Sequence, residues 1–172
     1  MSLAAVPGKV YETEIERMMA EYGSALLRMS FLYLKDAALA EDAVQETFLK
    51  AFKHLGQFRG ASSEKTWLMR IAINTCRDFQ RSVWLRLTDR RTPIEQLPDM
   101  ACETALTDDT VLCEVMQLPA RDKAVILLRY YQNMSTNEIS EALGIPVPTV
   151  SSRLKRAKEK LHKKLERWYF DD

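Results

Sequence analysis

Ser135-Thr136-Asn137-Glu138-Ile139-Ser140-Glu141-Ala142-Leu143-Gly144-Ile145-Pro146-Val147-Pro148 is the stretch whose reading decides the fold. Ser135 and Glu138 have capping-box spacing, in which hydroxyl and carboxylate each satisfy an orphan backbone N–H, so a helix begins at Thr136. Ile139, Ala142 and Leu143 give it one apolar face. Gly144 can take the left-handed conformation that ends a helix, and Pro148 suits the first turn of the next. That next helix, predicted from about Pro148 to Arg167, aligns Val150, Leu154, Ala157 and Leu161 on the side that packs back. Two helices across a turn of a few residues make a helix-turn-helix within the longer segment from Pro119 to Leu165.

The other side of the second helix is polar and basic. Ser151, Ser152, Lys155 and Arg156 form an exposed strip near its N-terminus, where a recognition helix offers side chains to base edges. Arg156 has the fork that bridges a guanine, Lys155 suits guanine or phosphate, and the serines are permissive donors. Arg153, Lys158, Lys160, Lys163, Lys164 and Arg167 extend the positive charge, against only Glu159 and Glu166. A lysine-rich helix alone is most simply a solvated surface. Joined to the cap, the glycine stop and the base-facing strip, it points to DNA.

The chain has 172 residues, 47% hydrophobic and 28% charged, the make-up of a soluble globular protein, and its net charge of +1 conceals strong segregation. No apolar run reaches membrane-spanning length and no secretory signal opens the chain, so a cytoplasmic location is expected. Cys76, Cys102 and Cys113 are odd in number and lack metal-ligand spacing, which predicts ordinary reduced thiols. His54 and His162 each stand alone. With no Walker loop, nucleophile–base pair or metal cluster, no enzymatic activity, no cofactor and no small-molecule substrate are expected.

Upstream, Thr13 and Glu16 again have capping-box spacing, and Ile15, Met18, Met19, Tyr22, Leu26, Met29 and Tyr33 continue an apolar stripe. The pattern predicts a helix over 13–34, weakened at Gly23. After a turn at Lys35-Asp36, a helix over 38–55 places Ala40, Ala43, Val44, Thr47, Phe48, Ala51 and Leu55 together. Its outer face carries Asp42, Glu46, Leu49 and Lys53, flanked by Gln45. One exposed leucine is ordinary on any surface; bracketed by acids and an amide, it also suits a basic partner. Residues 56–63 read as a loop, and Ser63 caps a helix over 64–81 with Trp67, Leu68, Ile71, Ala72, Thr75 and Phe79 as its core side. Arg70, Asn74, Arg77 and Arg81 share another face. With Phe58, Arg59 and Lys65 at the adjoining loop, they form either a solvated face or a site for unstacked single-stranded bases.

Between Glu95 and Leu118 the charge reverses, with Glu95, Asp99, Glu103, Asp108, Asp109 and Glu114 and no lysine or arginine. Pro93 and Pro98 break helices nearby. The span reads as a linker followed by a short helix from about Asp108 to Gln117, joined to the second half through Val111, Leu112, Val115 and Met116. No period-2 strand pattern or repeat occurs. The expected fold is all-α: two small helical domains joined by a flexible linker, the second carrying the helix-turn-helix.

Three segments together resemble the extracytoplasmic-function (ECF) sigma factors of bacterial RNA polymerase, in the sigma-70 superfamily, across nearly the whole chain. They are Ala40-Glu41-Asp42-Ala43-Val44-Gln45-Glu46-Thr47-Phe48; Phe58-Arg59-Gly60 with Thr66-Trp67-Leu68-Met69-Arg70-Ile71-Ala72-Ile73-Asn74 and Arg77-Asp78; and Leu118-Pro119 with Thr149-Val150-Ser151-Ser152-Arg153-Leu154-Lys155-Arg156-Ala157. The resemblance implies that residues 1–82 are sigma region 2, 83–107 an acidic linker and 108–172 sigma region 4. It implies that Asp42, Gln45, Glu46, Leu49 and Lys53 dock on the β′ clamp of core polymerase and that region 4 sits on the β flap. Phe58, Arg59, Lys65, Arg70, Asn74, Arg77 and Arg81 would serve the −10 element of promoter DNA; Thr149, Ser151, Ser152, Arg153, Lys155 and Arg156 would read the −35 element. An anti-sigma factor is the implied regulator, sometimes one that holds the protein at the inner face of the membrane. Pro146 and Pro148 depart from the small polar residue and glycine frequent in the family. A helix-turn-helix taken alone also fits a dimeric operator-binding repressor, or an interaction module for RNA or protein.

Overall fold

A computed structural model describes residues 7–89 and 110–170. Helix α1, Pro7–Leu34, starts earlier than its capping-box spacing predicts. Pro7 fits a first helical turn, and nothing between it and Thr13 interrupts the helix. The chain runs on through Gly23, then turns at Lys35, whose φ of 61° lies in the left-handed region. Asp36 caps α2, Ala37–His54, by accepting from the Leu39 N–H at 2.9 Å. A single 3-10 turn, Leu55–Gln57, leads into the loop before α3, Glu64–Asp89. Ser63 caps α3 as expected, its Oγ accepting from the Thr66 N–H at 3.1 Å. Helix α3 continues past the predicted end at Arg81, so the first residues of the span read as a linker from 83 are helical. The rest of that predicted linker, with Asp108 and Asp109 of the next predicted helix, lies outside the described residues.

The second half comprises α4, Thr110–Gln117; α5, Ala120–Ile126; α6, Thr136–Leu143; and α7, Val147–Phe170. Helix α5 runs directly into a five-residue π-helical turn, Leu127–Tyr131. Sequence reading missed α5 altogether. The predicted capping box of α6 is made in both directions, and Gly144 ends the helix at φ 64°. The Pro146 carbonyl accepts from the N–H groups of Thr149 and Val150 at 2.9 and 3.1 Å, so a proline opens α7 by lending its main-chain oxygen.

Burial shows why the elements sit as they do. Met18, Leu26, Met29 and Tyr33 of α1 meet Ala43, Phe48 and Ala51 of α2 and Leu68, Met69, Ala72 and Ile73 of α3. On α3 the buried face is rotated from expectation: Leu68, Ala72 and Thr75 are enclosed, whereas Trp67, Ile71 and Phe79 are only half-buried. On α4, Val115 and Met116 are buried but Val111 is exposed. Val150, Leu154 and Ala157 seat α7 on the rest of its half, as their spacing predicts. Two ion pairs reinforce that seat: Lys160 with the buried Asp122 of α5 at 2.7 Å, and Lys164 with the buried Glu114 of α4 at 2.6 Å. The cysteines need no chemistry. Burial pushes the Cys76 thiol up to about 11 and Cys113 is partly buried; Cys102 lies outside the described residues.

The two halves touch directly. Helix α3 packs on α6, and one continuous apolar core runs through both halves. Among the described residues, hydrogen bonds cross between them from Lys65 Nζ to the Gln132 carbonyl, from Gln132 Nε2 to the Ala25 carbonyl at 3.2 Å and from Lys123 Nζ to the Tyr33 carbonyl at 3.4 Å.

Candidate nucleic-acid and protein interfaces

The loop after α2 builds the first candidate site. Gly60 has φ 69°, a conformation that favours glycine and lets the chain double back from Phe58 to the start of α3. As a result Phe58 stacks on Trp67, with ring centroids 4.7 Å apart and planes 25° from parallel. The pair forms one wall of an open pocket of about 670 Å3, rimmed by Arg59, Arg70 and Asn74 and floored in part by Ile71. Aromatic faces beside guanidinium and amide groups match what an unstacked nucleobase with its phosphate requires. Of the seven residues assigned to the −10 element, four come together here: Phe58, Arg59, Arg70 and Asn74. Lys65 does not, since its ammonium is spent on the Gln132 carbonyl. Arg77 and Arg81, further along α3, line a different cleft. Trp67, counted as core by its i+4 spacing, packs against the core but is only partly buried, and it also lines this pocket.

On α7, Ser151, Ser152, Lys155 and Arg156 are all exposed and close together on one face of the helix, as their spacing predicts. Thr149 is half-buried, and its carbonyl accepts from Ser152 Oγ at 3.0 Å. Arg153, also half-buried, turns away from this strip into the cleft that holds Arg77 and Arg81. Lys158 lies over the exposed Tyr130 ring at 5.9 Å, which fixes one more positive charge beside the same helix.

The third candidate is the outer face of α2. Asp42, Gln45, Leu49 and Lys53 are exposed there; Glu46 is partly covered and approaches Lys50 at 3.8 Å. Leu49 is 55% exposed and Phe52, beside it, 37%. Apolar area this large amid acidic and amide groups is more than a lone surface leucine offers, and it suits a protein partner with basic residues around an apolar seat.

Known proteins match this arrangement over most of the chain. Residues 18–86 match the family model described as Sigma-70 region 2, and residues 108–161 match that of Sigma-70, region 4. RNA polymerase sigma-H factor of Pseudomonas aeruginosa is 32% identical over 163 residues, covering 87% of this chain and 84% of that protein. ECF RNA polymerase sigma factor SigL of Mycobacterium tuberculosis is 37% identical over 143 residues, 78% of each. Among solved structures, CnrH in complex with the cytosolic domain of CnrY superimposes with a TM-score of 0.67 at 25% identity, over 90% of this chain and 89% of that one. The sigma factor RpoE of Bartonella quintana, solved with the anti-sigma factor NepR, gives a TM-score of 0.74 at 23% identity, over 89% and 97%, and shows the same fold.

Proposed function

The chain belongs to the sigma-70 family as an RNA polymerase sigma factor of the extracytoplasmic-function type, directing core polymerase to promoters and initiating transcription, and from this premise we propose how its surfaces divide that work. Residues 1–82 with the continuation of α3 to Asp89 act as region 2, the segment after α3 as the linker and 108–172 as region 4. The Phe58–Trp67 pocket captures a base flipped out of the −10 element, with Arg59, Arg70 and Asn74 holding its edge and phosphate. Unstacking a base costs a few kcal/mol per step, and a pocket that receives it shifts duplex toward the melted state without any bond being made or broken. The single observation that supports this reading is the stacked aromatic wall beside three polar groups.

The strip Ser151, Ser152, Lys155 and Arg156 reads the −35 element in the major groove. Asp42, Gln45, Glu46, Leu49 and Lys53 dock on the β′ clamp, and region 4 docks on the β flap. An anti-sigma factor is the expected regulator. That CnrH is solved with a cytosolic domain of CnrY supports a protein partner for the packed arrangement of halves seen here. No helix among the described residues is long and apolar enough to cross a membrane.

Run-off transcription with bacterial core polymerase, paired with permanganate footprinting of the −10 region, tests the assignment. Wild-type protein yields a specific transcript and reactive thymines. Variants emptied at Trp67 should keep promoter binding and lose the reactive thymines; loss of both together would remove the pocket from melting.

A further inference from the structure

Where the two halves meet, Arg77 and Arg81 of α3, Arg121 of α5 and Arg153 of α7 line one cleft of about 710 Å3. Among the described residues, no carboxylate stands within ion-pair distance of any of the four. Four guanidiniums brought together from both halves repel one another, more strongly in a cleft than in open water. The packed arrangement therefore carries an unbalanced positive charge at its own seam. Leu143 and Ile145 line the same space, adding apolar surface to the charged lining.

We propose that this cleft is a binding site for a small polyphosphate anion of the nucleotide class. Arginine forks recognise phosphate oxygens in pairs, and several phosphates in series match guanidiniums arriving from three helices. The volume falls in the range of small-ligand sites, about 300–1,000 Å3. The apolar surface of Leu143 and Ile145 suits a base, which a bare phosphate lacks. Because the anion touches both halves, it binds the packed arrangement more tightly than a separated one and so favours it. It also occupies Arg153, Arg77 and Arg81.

Calorimetric titration of the full chain with GTP and with inorganic triphosphate, at matched ionic strength, tests the site. Neither polymerase nor promoter enters the assay, so its result is independent of the promoter reading. One saturable site per chain is expected, weakened about tenfold or more by Arg121→Ala and by Arg153→Ala but less than about twofold by Arg156→Ala, which lies outside the cleft. Circular dichroism checks that the variants stay folded; Arg121 is exposed and its removal leaves the core intact. GTP should bind more tightly than triphosphate, and small-angle scattering should show no expansion on saturation. Equal weakening by all three substitutions, or more than one anion per chain, would mean general attraction to a basic surface and overturn the site. Equal affinity for the two probes would overturn the nucleotide class, and expansion on binding would overturn the preference for the packed state.

Discussion

Phe58 and Trp67 stand nine positions apart in the chain yet stack at 4.7 Å, the first in a loop and the second in the opening turns of α3. Neither ring is buried enough to be explained by the core alone. Base–aromatic stacking contributes about 1–3 kcal/mol per base. Trp67→Leu, which keeps an apolar group at the position, should therefore slow open-complex formation by about tenfold or more while leaving binding of a −35 duplex unchanged. Stopped-flow fluorescence on a promoter labelled in the −10 region measures the first and a gel-shift titration the second. An equal loss in both would mean that the stack is structural.

Leu49→Arg should leave the helical circular dichroism spectrum intact, because the side chain is already 55% exposed. Affinity for core polymerase should fall by on the order of 1–2 kcal/mol, as for an apolar anchor at the centre of an interface. Asp42→Arg should act in the same direction. Unfolding of either variant would show that the face is structural, and unchanged core binding would move the docking surface elsewhere.

Arg156→Ala should cost about 1–3 kcal/mol on the preferred −35 sequence and relax preference at one or two base pairs, as for loss of a bidentate base contact. Lys163→Ala should weaken binding on all sequences alike. Competition against a panel of single-substitution −35 duplexes separates the two; uniform loss for Arg156→Ala would demote it to a phosphate contact.

Burial, and then the neighbouring charge of Lys35, brings the Lys123 ammonium down from 10.5 to about 8. Between that value and the unfolded value near 10.4, the unfolded chain holds more protons than the folded one, so stability rises with pH through this window. Below about 8 both states are protonated and the penalty of the buried charge is paid in full. Lys123→Met should raise stability at neutral pH and flatten the rise between pH 8 and 10. Urea unfolding at several pH values gives the comparison. The raised Cys76 thiol pulls the other way at high pH in both proteins, so the difference between them isolates Lys123.

Gly23→Ala should stabilise the protein by about 0.5–1 kcal/mol. Gly23 lies inside α1 with helical neighbours on both sides, and an added Cβ would meet nothing within 4 Å. A higher midpoint in thermal unfolding is expected, and a lower one would reveal a need for flexibility there.

How much was legible in the chain follows from how far apart the interacting groups are. The Ser135–Glu138 cap and the Gly144 stop are local, and both partners fall within one helical turn, so their spacing alone was enough. The exposed strip on α7 was equally plain, since its complement, Val150, Leu154 and Ala157, is strongly apolar. Helix α5 was missed because Leu127 to Tyr131 departs from the 3.6-residue period as a π turn and blurs the stripe. The rotation of α3 was missed because Trp67, Ile71 and Phe79 are apolar enough to read as core although the tightest packing falls one position round. The division of the arginines was invisible: Arg70 and Arg77 share a face of one helix, but only the packing of α3 on the second half places Arg77 in a separate cleft, lined also by Arg121 and Arg153.

The hydrogen bonds described between the halves share a design: each donor is a side chain, Lys65, Lys123 or Gln132, and each acceptor is a main-chain carbonyl. A carbonyl is present whatever residue carries it, so one side of each contact is indifferent to substitution. Chimeras that join the first half of this chain to the second half of a relative therefore have few polar side chains to carry across. The polar part of the seam thus tolerates exchange on its acceptor side, while the apolar core shared by α3 and α6 sets how well an exchanged half fits.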